Sequence, residues 1–333
     1  MMVATTITMT RTGARPARAR ANDASVTIAG RIDRAAELGA ALAGTLGDPD
    51  AFARELSAAF AGLADADYRA GQAFIAPGIG PTHGVRTPLQ VAVRRAFERA
   101  SRRASTSELL FVADRLLHVP EREARWFAIS TLERTVGREP ERTWQLLRRA
   151  AADADEWITV DTLAHPYGKG VLGEEYRWAE IEQLTVSPSR WERRLVGSTI
   201  ATIPFVNLRL GRAPAVIEHA LPLLAALIGD REPDVQKALS WAYRSLTIVD
   251  LPSTTAALER QADVAAAQDD GHRAWVVRDS LKKLAAADAE RIKSNLAGIR
   301  RRAGAPSTSE AAALADRFSG MGLGRPLPEP PLT

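Results

Sequence analysis

The period of the apolar residues constrains this chain more than any other feature. From "RIDRAAELGAALAGTL" at 31–46 to "HRAWVVRDSLKKLAAADAERI" at 272–292 they recur at spacings of three and four, the repeat of an amphipathic helix. The same period runs through "DAFARELSAAFAGL", "PLQVAVRRAFERA", "SELLFVADRLL", "REARWFAISTLERTV", "SRWERRLVGSTIATI" and "PAVIEHALPLLAALI". No stretch alternates in the two-residue rhythm of a half-buried strand, so the sequence predicts an all-α fold. Start signals agree. Ser105 with Glu108 and Ser189 with Glu192 have capping-box spacing, and Pro120, Pro140 and Pro233 stand at or beside predicted helix starts.

The helices also resemble one another. "PEREARWFAISTL" begins at 120, "PSRWERRLVGSTI" at 188, "PDVQKALSWAYRSL" at 233 and "GHRAWVVRDSLKKL" at 271. Each opens on a turn, places a basic residue in its first two turns and then becomes apolar. "DVQKAL" also fits the short Asp-Val-x-Lys/Arg-x-Ala pattern typical of HEAT repeats, which stack helix pairs into an α-solenoid with a concave face. The expected organisation is a basic tail over 1–30 containing Arg11, Arg15, Arg18 and Arg20, a HEAT-like solenoid over 31–302, and a tail over 303–333. That last segment is rich in Pro and Gly and has room for at most one short helix.

Composition removes several function classes. With no cysteine, disulfides and thiolate metal sites are excluded. The longest apolar runs, such as "LPLLAALIG" at 221–229, fall far short of the roughly 20 residues of a membrane span. The expectation is a cytoplasmic monomer with no membrane partner. Five scattered histidines, His83, His118, His165, His219 and His272, lack ligand spacing, and "HPYGKG" lacks the remainder of a P-loop, so neither metal nor cofactor is expected. Glu174 and Glu175 read as a solvated helix start. The net charge of +4 hints at a polyanionic partner, but residues 121–250 carry 17 Lys and Arg against 19 Asp and Glu. The positive excess therefore lies toward the ends, and a nucleic-acid surface in the middle must be a local stripe.

The residues with chemistry to offer sit on predicted helices. In "DEWITVD", Trp157 and Asp161 are four apart and project from one helix face, while Ile158 and Val160 point elsewhere to anchor it. A carboxylate beside an aromatic surface can stabilise positive charge developing on a substrate. Trp191 with Arg194 and Trp241 with Arg244 share faces at a spacing of three, with Lys237 one turn before Trp241. Aromatic rings interleaved with cations can hold a sugar or base while the cations take phosphates. Packing explains each pair equally well, with the tryptophan in the core and the arginine reaching outward.

Five blocks in order carry a family resemblance: "HGVRTPLQ" at 83–90, "VPEREARWFAIS" at 119–130, "EWITVD" at 156–161, "SRWERR" at 189–194 and "VQKALSWAYR" at 235–244. Together they resemble the HEAT-like alkylpurine DNA glycosylases, the AlkD family of DNA alkylation repair proteins, over roughly residues 50–290. The resemblance implies hydrolysis of the N-glycosidic bond of cationic N3- or N7-alkylated purines in double-stranded DNA, without drawing the base into a deep pocket. It implies Asp161 as the catalytic aspartate, Trp157 and Trp241 as aromatic walls about the sugar, and Arg194, Arg244 and Lys237 as DNA-facing cations. Some relatives protect antibiotic producers from bulky DNA alkylators, so bulky alkylated adenines join the expected lesions. Blocks before residue 80 match the family poorly, and "VNLRLGRAPAV" at 206–216 is longer than the corresponding connection. The competing expectation is a non-enzymatic HEAT-like scaffold that binds DNA or protein through the same groove.

Overall fold

The computed structural model describes residues 28–76 and 78–319, so Arg11, Arg15, Arg18, Arg20 and the final Pro- and Gly-rich stretch lie outside the described residues. Within them the chain is all α. The first helices are α1 (Ile32–Ala41), α2 (Pro49–Gly62), α3 (Ala66–Ile75), α4 (Thr87–Ala100) and α5 (Thr106–Leu117). Next come α6 (Arg122–Thr135), α7 (Pro140–Ala152), α8 (Trp157–Gly173), α9 (Arg177–Gln183), α10 (Arg190–Val206) and α11 (Pro214–Leu227). The last five are α12 (Pro233–Leu246), α13 (Leu251–Gln268), α14 (Gly271–Ser280), α15 (Ala286–Asn295) and α16 (Glu310–Phe318).

The starts follow from local chemistry. Asp48, Asp65, Asp250 and Asp270 each accept a hydrogen bond from an amide in the first turn of α2, α3, α13 and α14, satisfying donors the helix leaves open. The capping box of Ser105 and Glu108 opens α5. The one expected at Ser189 does not form. Ser189 makes no side-chain cap on α10; Ser187 instead donates to Glu192, and Ser187 Oγ also accepts the Ser189 amide at 3.1 Å. The hydroxyl that meets Glu192 thus comes from two residues before the expected cap, with Pro188 between the two serines.

From α6 to α14 the even-numbered helices pack side by side as one layer, with α7, α11 and α13 packed against them, and α16 packs on α11. Contacts within the layer advance in step: Arg194 meets Asp161 and Thr202 meets the Ala164 carbonyl, while His272 lies against Gln236 and Asp279 against Ser240. The helices α8, α10, α12 and α14 are therefore parallel, and their first turns line up along one edge. This is the solenoid arrangement that the repeated pattern predicts. Gly197 lets α10 approach α12, because a Cβ there would stand 2.8 Å from the Ala238 carbonyl carbon. A phenylalanine cluster, Phe52, Phe60, Phe97 and Phe127, fills the core between α2, α4 and α6. Beyond residue 302 the chain stays packed, with the Thr308 amide donating to the Gly229 carbonyl at 2.8 Å and Ala312 and Ala315 of α16 buried.

Candidate active site

The site begins with the cap of α8. Glu156 is buried and turns its carboxylate onto the amides of Ile158 and Thr159, which fixes Trp157 as the first helical residue and Asp161 one turn later. Val160 anchors the helix in the core as expected from its position, but Ile158 does not; it lines an open cleft beside Trp157. That cleft, about 410 Å³, separates α3 from α8 and is bounded by Tyr68, Gln72, Ile75, Arg86, Trp157 and Ile158. Arg86 stacks on Tyr68 at 5.1 Å and donates to Asp65 at 2.7 Å. The Asp65 carboxyl is held below its usual range, first by the Tyr68 amide and also by Arg86, against the opposing effect of burial.

Asp161 lies at the seam between α8 and α10. Arg194 grips it with both ends of its guanidinium fork, Nε to Oδ1 at 3.1 Å and Nη2 to Oδ2 at 2.9 Å, and Ser198 donates to Oδ1 at 2.7 Å. The remaining Arg194 nitrogen, Nη1, donates to the Asp234 carbonyl in the first turn of α12 at 2.6 Å, and the guanidinium lies 6.0 Å from the Trp157 ring. The Asp161 side chain keeps 23% exposure and accepts three hydrogen bonds where a carboxylate has room for about four. It therefore presents an oriented oxygen to a reacting group or a water.

The side chains of the other expected cations are placed differently from one another. Arg194 is buried, facing Asp161 and not the surface. Its expected aromatic neighbour, Trp191, pairs instead with Arg190 at 4.7 Å, since at the helix start the preceding residue swings over the ring. Arg244 turns toward α14, donating to Asp279 Oδ2 at 2.6 Å and to Ser240 Oγ at 3.1 Å. Lys237 is exposed, 3.9 Å from Asp234. Trp241 is half-buried against the core, two turns beyond the Asp234 carbonyl that Arg194 reaches. Of the two acids read as solvated, Glu175 is exposed, whereas Glu174 accepts at 2.7 Å from Nε of the fully buried Arg177.

Two further residues support the site. Ser198 was legible only as a hydroxyl one turn beyond Arg194 on the same face. Glu123 of α6 is fully buried and ties down the "HGVRTP" loop, accepting from Thr82 Oγ1 at 2.7 Å and from the amides of His83, Gly84 and Val85 at 3.2, 2.9 and 3.1 Å. Gly84 takes φ +76°, and a Cβ there would meet the Asp65 carbonyl at 2.7 Å. The loop's signature is thus a clamp that sets Arg86 and α3 across the cleft from α8. Among the described residues no group of three metal-ligating side chains occurs, and no helix is long and apolar enough to cross a membrane.

A family model described as DNA alkylation repair enzyme matches residues 56–284, more than half of the chain and the whole of the site above. No curated protein and no solved structure matches the chain.

Proposed function

The chain belongs to the DNA alkylation repair enzyme family, and on that premise we propose that it is a monofunctional DNA glycosylase acting on duplex DNA with N3- or N7-alkylated purines. The observation that carries this reading is Asp161: a partly exposed carboxylate, oriented from one side by Arg194 and Ser198 and standing one turn from the Trp157 indole. Alkylation at N3 or N7 gives the purine a positive charge, so it departs without protonation. As the bond from C1′ to the base nitrogen lengthens, its electron pair passes to the base, which leaves neutral, and the deoxyribose takes up positive charge. Asp161 stabilises that charge and orients a water whose oxygen forms the new bond to C1′, its proton passing to the carboxylate or to solvent. The electron-rich faces of Trp157 and Trp241 favour the same developing cation.

No cofactor is called for by this chemistry, and the enzyme works as a cytoplasmic monomer on alkylated duplex DNA, bulky adenine adducts included. The test is release of free base from duplexes carrying 7-methylguanine or 3-methyladenine. Asp161→Asn is expected to lower single-turnover release by about a hundredfold or more while leaving DNA binding in place. Full release by that variant would sink the assignment. A scaffold reading draws on one observation, the recurrence of an Asp-Arg-Ser cluster at the seam of α12 and α14; it requires DNA binding with no base release from any alkylated substrate.

A further inference from the structure

The seam of α12 and α14 carries the same four residue types as the candidate site. Trp275 and Asp279 are four apart on α14, as Trp157 and Asp161 are on α8, and Asp279 accepts from Ser240 at 2.8 Å and Arg244 at 2.6 Å. The charge balance is different. Lys282 adds a second cation to Asp279 at 2.6 Å, and Arg301 stacks over Trp275 at 5.4 Å.

Arg301 comes from a segment that lies beyond the family-matched residues 56–284. This segment is fastened to the start of α12 and to both ends of α14. Arg278 donates to the carbonyls of Leu296 and Ile299, both at 2.7 Å. His272 bridges Gln236 Nε2 and the Ala305 carbonyl at 3.1 Å each, and Arg301 Nη1 donates to Gln236 Oε1 at 2.7 Å. Arg300, Arg301 and Arg302 are all exposed. Arg302 has Asp269 beside it, but among the described residues Arg300 and Arg301 have no carboxylate partner. Arg278 has its pKa lowered, first by burial and then by the charge of Arg300. Cations held together without acids create a positive potential that a polyanion relieves. The same edge also presents Arg190, half exposed over Trp191 and 3.7 Å from Glu232, and Lys237, 3.9 Å from Asp234.

We infer that Arg300 and Arg301 form a second contact with the DNA backbone, in which a Trp-Asp-Arg-Ser quartet like that of the candidate site has been converted by added cations into a phosphate-binding one. The inference rests on the reading that the chain binds duplex DNA, and not on base release. Two phosphates along one strand take the two guanidiniums, while Gln236 and Trp275 keep Arg301 from folding away. The catalytic seam is thereby held at a fixed distance along the duplex.

The test uses the full chain and an undamaged duplex of about 20 base pairs, with affinity measured from 0.05 to 0.2 M salt. Each lost phosphate contact removes about 0.9 from the slope of log affinity against log salt, equivalent to roughly eightfold in affinity at 0.1 M and fourfold at 0.2 M. Arg300→Ala, whose side chain makes no hydrogen bond within the described residues, is expected to show that loss, and Arg300→Glu a larger one. Arg301→Lys, which keeps charge without the stacked fork, is expected to retain most of the slope. Arg34→Ala, removing an exposed arginine on α1, is the control and leaves the slope unchanged. A reduced slope in both Arg300 variants supports the inference whether or not the wild-type protein releases base. Wild-type affinity and slope in both Arg300 variants, or no duplex binding by the wild-type chain, would overturn it.

Discussion

Replacing Arg194 by Met separates two roles that the same residue could have, phosphate ligand or holder of Asp161. Methionine keeps much of the stem and removes three hydrogen bonds, two to Asp161 and one to the Asp234 carbonyl. Breaking a fully buried ion pair costs about 3–5 kcal/mol. Here Asp161 retains 23% exposure, so water re-enters on one side and the expected loss is about 2–3 kcal/mol. Asp161→Asn leaves Arg194 bonded to the Asp234 carbonyl and is expected to cost about 1–2 kcal/mol, with a coupling of roughly 1–2 kcal/mol in the double variant. Urea unfolding of the four proteins measures these values. The functional readout then decides the role. A residue that positions the carboxylate slows single-turnover base release at saturating DNA, by about a hundredfold for a displacement near 1 Å, and leaves the salt slope of binding alone. A slope reduced by about 0.9 with release unchanged at saturation would refute the assignment and return Arg194 to the phosphate backbone.

Two further outcomes follow from the loop that supports the cleft. Gly84→Ala places a Cβ 2.5 Å from that of Arg69 at φ +76°, and is expected to cost about 2 kcal/mol or more in urea unfolding, with Arg86 released from Asp65. Glu123→Gln presents an amide to donors that need an acceptor and is expected to cost about 2–3 kcal/mol at neutral pH. Burial raises the Glu123 pKa, but hydrogen bonds from Thr82 and Val85 outweigh it and hold the group below its ordinary 4.5. Its stabilising contribution is therefore complete above that value and is lost as pH falls through the lowered one, so the unfolding midpoint of Glu123→Gln should change less between pH 5 and 3 than that of the wild type.

Helix class and repeat order were legible because apolar spacing is a local signal that burial enforces along the whole solenoid. The pairing of Trp157 with Asp161 was equally legible, since one helix turn decides it. Contacts between helices were not. Nothing in "SRWERR" says that Arg194 meets Asp161, 33 residues away in sequence; the parallel packing of α8 and α10 brings the two together. The same holds for Arg244, which the fold turns onto Asp279. No local signal sets Glu123 apart from Glu121 in the same helix start, although its burial beneath "HGVRTP" sets the geometry of that loop.

The two Trp-Asp-Arg-Ser seams supply an internal control for the proposed chemistry. Near Asp161 one cation faces one carboxylate, and Trp157 opens onto a cleft. At Asp279 two cations face one carboxylate, and Arg301 covers Trp275. Burial raises the Asp279 pKa, yet the hydrogen bonds from Lys282, Ser240 and Arg244 win and hold it below the ordinary carboxylate range. On the proposed chemistry a sugar cation would meet a net positive surrounding there and a balanced one at Asp161, so that reading assigns bond cleavage to the seam of α8 and α10 alone. Asp279→Asn should therefore leave single-turnover base release within about twofold of wild type and bind duplex DNA at least as tightly, because it deletes a negative charge beside phosphate-facing cations. The pair of neutralising changes differs only in which seam is disarmed. Equal loss of release from Asp161→Asn and Asp279→Asn would show that these carboxylates act by bracing the helix layer, and the chemical role of Asp161 would have to be abandoned.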